Sequence, residues 1–182
     1  MERQWQGSVH VDAPVEQVYR YLAEFPNHCE WAQTLEHMEQ IKPGDSAGIG
    51  RTYKTTERQA FQSDRAPRET LNKGFKGTTM CEVRELAPNT RIAWHSYALP
   101  KMGVSADLAF DLAADADGGT TVTQRITMHQ PALPMWIFRK FVFKMSEEEM
   151  EKRALAQWDA SLANIKAILE ESKVDASHKA TA

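Results

Sequence analysis

Cysteine is scarce in this chain. Cys29 and Cys81 are the only two in 182 residues, too few for a disulfide framework. Two free thiols in a reducing cytoplasm are therefore expected. Positive charge is not in excess either. The formal net charge is −3 and the pI about 6.1, which argues against a nucleic-acid partner, since phosphate backbones are met by basic surfaces. Long apolar runs are missing too. The most apolar stretch, residues 133–145, carries Arg139, Lys140 and Lys144 and is shorter than the roughly 20 residues of a spanning helix. The opening MERQWQGSVHVDAP has no apolar segment of signal-peptide type, so a cytoplasmic protein is predicted. No His/Cys spacing suggests zinc, and neither GxSxG nor a P-loop occurs. Gly48-Ile49-Gly50 leads into a strand pattern, with no phosphate-binding helix behind it. Neither metal nor cofactor is expected.

What remains is an ordinary globular balance, 42% hydrophobic and 26% charged, at a length that suits one domain. Residues 1–172 are read as that domain and 173–182 as a flexible tail. Residues 4–12 alternate, with Trp5, Gly7, Val9 and Val11 on one side, as in a strand. Asp12-Ala13-Pro14 stops it and starts a helix over 14–24, with Val15, Val18, Tyr19 and Leu22 at helical spacing. A second helical turn around His28–Ala32 carries Trp31. The period then changes to strand: Leu35–Lys42, Arg51–Arg58, Phe75–Leu86, Arg91–Ala98, Ser105–Leu112 and Thr120–Gln130. Residues 59–71 read as a long hairpin tip. Asp115 to Gly119 is a tight reversal. Residues 135–145 form an apolar helical segment. Ser146 to Glu149 is a capping box. Met150, Ala154, Trp158, Leu162, Ile165 and Leu169 then mark one face of a long helix.

One strand, two short helices, about six more strands and a long helix make an α+β protein. Short turns between strands make the sheet antiparallel. A single amphipathic helix covers it best if a curved sheet of about six to seven strands wraps that helix on its concave side.

The order and landmarks resemble the START-like superfamily (SRPBCC), in particular its polyketide cyclase/dehydrase and lipid-transport branch. Val9 to Val18 is similar to its strand-then-helix opening, and Phe25-Pro26-Asn27-His28-Cys29-Glu30-Trp31 to its short helix ending in Trp. Pro43-Gly44 with Gly48 to Tyr53, the Gly118 to Thr123 turn and strand, and the final helix also fit, over roughly residues 5–170. The resemblance implies a helix-grip fold with a cavity between sheet and last helix, holding a lipid, polyketide or aromatic molecule. It carries no shared catalytic motif, so no catalytic residue follows from it.

Alternation says which side chains would face such a cavity. Ala106, Leu108, Phe110 and Leu112 oppose Asp107 and Asp111. Val122, Gln124, Ile126 and Met128 oppose Thr123, Arg125, Thr127 and His129. Ile92, Trp94 and Ser96 are placed inward against Ala93, His95 and Tyr97, and Thr79, Cys81 and Val83 against Met80, Glu82 and Arg84. Small or polar positions such as Cys81, Ser96 and Gln124 within an apolar wall are what a small-molecule site needs. Trp31 and Trp158 read either as pocket wall or as core. The 133–145 segment reads either as a buried helix or as a lid or a patch for a membrane surface or partner chain. If strand 91–98 had the opposite register, His95 and Tyr97 would enter the cavity as an acid–base pair.

Three functions compete: a carrier for a small apolar metabolite or lipid, a cyclase/dehydratase-type enzyme in the same cavity, and a protein-interaction module without ligand. Exposed strand edges would also allow a homodimer.

Overall fold

The computed structural model describes residues 2–58, 76–99, 103–129 and 147–180. Strand β1 (Glu2–Val11) leads into helix α1 (Val15–Ala23), a 3-10 turn (Phe25–Asn27) and a one-turn helix α2 (His28–Trp31). Six strands follow: β2 (Leu35–Lys42), β3 (Thr52–Arg58), β4 (Lys76–Ala87), β5 (Arg91–Leu99), β6 (Val104–Ala114) and β7 (Thr120–His129). A long helix, α3 (Glu147–Ala180), ends the fold. The hairpin tip expected over 59–71 and the apolar helix expected over 135–145 lie outside the described residues. Among the described residues, no helix is long and apolar enough to cross a membrane.

The seven strands form one antiparallel sheet in the order β1-β7-β6-β5-β4-β3-β2. From β2 to β7 each strand pairs with the next in sequence, and β1 returns to pair with β7. Register shifts occur in β2, in β4 between Val83 and Glu85, and in β5 between Ser96 and Leu99. Such bulges bend a strand and increase its twist, giving the sheet one concave face. This is the helix-grip α+β architecture expected from the element order.

Alternation sorts the side chains as predicted. In β1 the even-numbered residues from Glu2 to His10 are exposed and the odd ones covered. Ile92, Trp94, Val83, Phe110, Val122 and Ile126 are buried together on the concave side. Helix α1 sets Val18 and Leu22 against them.

Helix α3 is anchored at both flanks of the sheet. Along β1, Trp5 packs on Trp158 at 4.9 Å, and its indole N–H reaches Glu151 at 3.4 Å. Gly7 is where strand and helix come closest. A Cβ there would sit 3.1 Å from Leu162 Cδ1, so a larger residue would push the helix outward. Farther along, Lys166 Nζ donates to the His10 carbonyl at 2.8 Å, and Glu170 accepts the Asp12 amide at 2.9 Å. On the other flank, Asn164 Nδ2 donates to the Trp31 carbonyl and Gln157 Nε2 to Thr34 Oγ1, both at 3.0 Å. Leu162, Ile165 and Leu169 are buried, and Trp158 is half-buried. The helix runs on through residues 173–180. No Pro or Gly interrupts that stretch, so nothing in it breaks the helix.

Candidate functional site: the concave face of the sheet

Two unlike regions share the concave face. The first is a cluster of rings. Phe25 stacks on Tyr53 at 5.2 Å and on His28 at 4.7 Å. Trp94 meets Phe110 at 5.4 Å, and Trp31 meets Phe110 at 5.5 Å. Phe25 and Phe110 are fully buried, and Trp31 and Trp94 nearly so. His28 belongs to the ring stack. Its Nε2–H donates to the Leu22 carbonyl at 2.8 Å, and burial lowers its pKa to about 4. At neutral pH it is an uncharged ring packed among others. The Trp31 indole N–H is also buried there, without a hydrogen-bond partner among the described residues.

The second region lies along the next pairs of the sheet. One cross-strand row reads Tyr53, Cys81, Ser96, Ala106 and Met128, ending at Arg3 on β1. After Tyr53 its middle members are small. The row is one inward pair beyond Trp5. Cys81 is buried at 3% exposure, and burial pushes its thiol pKa up to about 12. It is a neutral small side chain, not a nucleophile.

Beside this row sits a polar patch on β3 and β4. Thr55 Oγ1 lies 3.2 Å from both Glu57 Oε1 and the Thr79 carbonyl. The Thr79 hydroxyl meets the same carboxyl. Burial raises the Glu57 pKa, and the two hydroxyls offset part of that rise. No Lys, Arg or His among the described residues pairs with it. Thr55 and Thr79 are both buried.

The eight residues expected to line a pocket thus divide. Trp31, Trp94 and Phe110 belong to the ring cluster. Cys81, Ser96 and Met128 form the row of smaller side chains. Gln124 is buried at 5% and paired between Phe110 and Gly7, beneath α3. Trp158 packs on Trp5 at the flank. Glu57 and Thr55 were not singled out, although RTYKTTER already places Tyr53, Thr55 and Glu57 on one face and Lys54, Thr56 and Arg58 on the other. His28 had no comparable sequence signal.

His95 and Tyr97 do not enter the concave face. His95 pairs with Asp107 and stands opposite Glu82, on the convex side. Its Nδ1 is 2.6 Å from Asp107 Oδ1, and His129 Nε2 is 2.6 Å from Asp107 Oδ2. Arg84 Nη2 donates to the Tyr97 hydroxyl at 3.1 Å. The alternative register is overturned because Ile92 and Trp94 take the buried side, which commits His95 and Tyr97 to the other.

One described trio, His10, Asp115 and Asp117, brings potential metal ligands within 4.8 Å of one another. It lies outside the concave face at the β6–β7 turn, and its histidine already faces both carboxylates, at 2.8 and 3.6 Å. A groove of 310 Å³ between β1 and α3 also lies apart from the ring cluster, bordered by Ser8, Val9, Leu162 and Lys166.

The fold is similar to that of several solved structures. Zhui aromatase/cyclase from Streptomyces sp. R1128 superposes with a TM-score of 0.65 at 14% identity, over 93% of this chain and 94% of that one. A START superfamily protein from Mycobacterium smegmatis gives 0.67 at 11% identity, over 92% and 97%. The di-domain aromatase/cyclase StfQ of the steffimycin pathway gives 0.68 at 16% identity, over 95% of this chain and 52% of that one. At these identities the likeness is one of fold. No curated protein sequence matches the chain. The model of the polyketide cyclase/dehydrase and lipid transport family matches residues 3–170, and the chain belongs to that family.

Proposed function

We propose that the protein binds a small apolar molecule between the concave sheet and α3. The observation that carries this reading is the row Cys81, Ser96 and Ala106, set beside the larger Trp94 and Phe110. Protein interiors pack to crystal-like density. A curved sheet held open by stacked rings at one end, and lined by small side chains beside them, calls for something to occupy the difference. The Trp31 indole N–H, buried and without a partner among the described residues, adds a polar contact of the kind that orients a ligand in an apolar site.

Native mass spectrometry of freshly purified protein tests this. A copurified small molecule, released on denaturation and reduced in a Ser96→Phe variant, is the expected result. Protein that carries nothing, and that fails to take up an apolar fluorescent probe, overturns it.

A cyclase/dehydratase activity is the second reading. It is favoured by the fold shared with aromatase/cyclases and by Glu57, a carboxyl of raised pKa on the concave side. General acid–base chemistry needs a group of that kind near the substrate.

A further inference from the structure

We infer that Glu57 is the specificity-determining group of the concave site, and that it accepts a hydrogen bond from a hydroxyl of the bound molecule. The inference rests on the ligand-binding reading above and names the chemistry of the ligand's polar end.

Glu57 shares the inward face of β3 with Tyr53 and Thr55. Tyr53 and Thr55 are buried, whereas Lys54 between them is exposed. In the sheet register Glu57 stands between Leu35 on β2 and Gly77 on β4. Its carboxyl is therefore directed toward the interior of the grip. The groups it meets there are the hydroxyls of Thr55, at 3.2 Å, and Thr79. A carboxylate offers about four acceptor positions, and among the described residues two neutral donors leave the others open. Thr55 shares its single proton between Glu57 and the Thr79 carbonyl, which weakens that contact further.

A carboxyl taken out of water without a cation is under-satisfied. Elsewhere in this sheet carboxylates are met differently. Asp111 is held by Arg91 and Arg125, and Asp107 by two imidazoles. Among the described residues Glu57 meets no such cation, and it lies on the concave side of the sheet.

The kind of donor follows from the surroundings. Nearby walls are aromatic rings, a neutral thiol and threonine hydroxyls, which suit an uncharged ligand body. An alcohol or phenol O–H fits such a site. It donates one hydrogen bond to the carboxylate, requires no counter-charge, and leaves the apolar remainder against the rings.

Isothermal titration with a matched pair of probes tests this. The probes are 1-naphthol and 1-methoxynaphthalene, which differ chiefly in the donor proton. Wild-type protein should bind 1-naphthol at least about tenfold more tightly, the effect of a hydrogen bond to a charged group. In Glu57→Leu the two probes should bind within about threefold of each other, with 1-methoxynaphthalene held as in the wild type. Glu57→Gln keeps the shape and one neutral acceptor. Its preference should fall by about threefold or more, so it serves as the test if the leucine variant does not fold. A preference for 1-naphthol that is unchanged in the folded variants overturns the assignment to Glu57 and leaves the ligand-binding reading intact. Equal binding of both probes to wild-type protein does the same. Failure of wild-type protein to bind either probe overturns both.

Discussion

The two halves of the concave face solve the same problem in opposite ways. Both lie on the concave side of one sheet. In the ring cluster, Phe25, His28, Trp31, Trp94 and Phe110 meet one another at centroid distances of 4.7 to 6.4 Å, so the space is filled by the protein itself. In the neighbouring row, Cys81, Ser96 and Ala106 project little, and Thr55, Thr79 and Glu57 bring polar atoms into the interior. Stability is concentrated in the first half. We assign recognition to the second.

The largest effect should come from truncating the centre of the filled half. Phe110 is fully buried and touches Trp31, Trp94 and His28. Phe110→Ala should cost about 3–5 kcal/mol, the transfer term plus a cavity that the surrounding rings cannot close. Urea denaturation, with the midpoint and slope fitted together, measures this. A loss under about 1 kcal/mol would mean that the cluster is loosely packed, and the contrast would collapse.

Acid should be the next strongest lever, again on the filled half. His28 titrates at 6.5 when unfolded and at about 4 in its buried setting. Between those values the unfolded chain binds the proton and the folded one does not, so stability falls as pH falls. The contribution is fully present above about pH 6.5 and is lost progressively toward pH 4. Its size is about 3 kcal/mol at roughly 1.4 kcal/mol per unit. His28→Gln keeps a donor for the Leu22 carbonyl but cannot titrate. The rise of stability with pH across that window should be lost, while Glu57, whose pKa folding raises, contributes in the opposite sense; a wild-type slope in this variant would remove His28 as the source.

A smaller effect sharpens the comparison from the other side. Adding bulk to a well-packed core costs about 1–3 kcal/mol. Ser96→Leu adds bulk to the row of small side chains. If that row borders ligand space, the variant should change stability by less than about 1 kcal/mol, while losing most of its capacity for an apolar fluorescent probe. A full overpacking cost with unchanged uptake would show that the row is as filled as the ring cluster.

Much of this arrangement was legible in the residues. Alternation alone placed Phe110, Val122 and Gln124 inward, because a strand gives each side chain only two directions. It would have placed Glu57 inward as well, since its face is shared with Tyr53 and the opposite face carries Lys54 and Arg58. What alternation does not report is distance across the interior. Whether Trp31 and Phe110 touch, or leave a gap between them, depends on how far the sheet bends, and that depends on bulges such as the one beside Arg84. The role of His28 was hidden for a related reason. It sits on a one-turn helix with no period to read, and only the ring neighbours brought to it by β5 and β6 explain an uncharged histidine there. The mixed apolar and polar pattern of β5 was resolved by burial: His95 and Tyr97 have charged partners on the convex face, whereas Trp94 is buried.

That convex face supplies the smallest expected effect and the control for the others. Asp107 is more than half exposed and accepts from His95 and His129. Partial burial lifts its pKa, but the two imidazole hydrogen bonds outweigh that and leave it below the usual 3.8. A carboxyl whose pKa is lowered by folding stabilises above its unfolded value and loses that contribution as pH falls below it. The Asp107 effect therefore belongs below about pH 4, outside the window assigned to His28. Asp107→Asn should cost no more than about 1 kcal/mol near neutrality, as exposed pairs do. It should leave the pH 4–6.5 slope in place and not alter the ratio of 1-naphthol to 1-methoxynaphthalene binding. A change in that ratio would place recognition on the convex side of the sheet, and Glu57 would lose its claim to it.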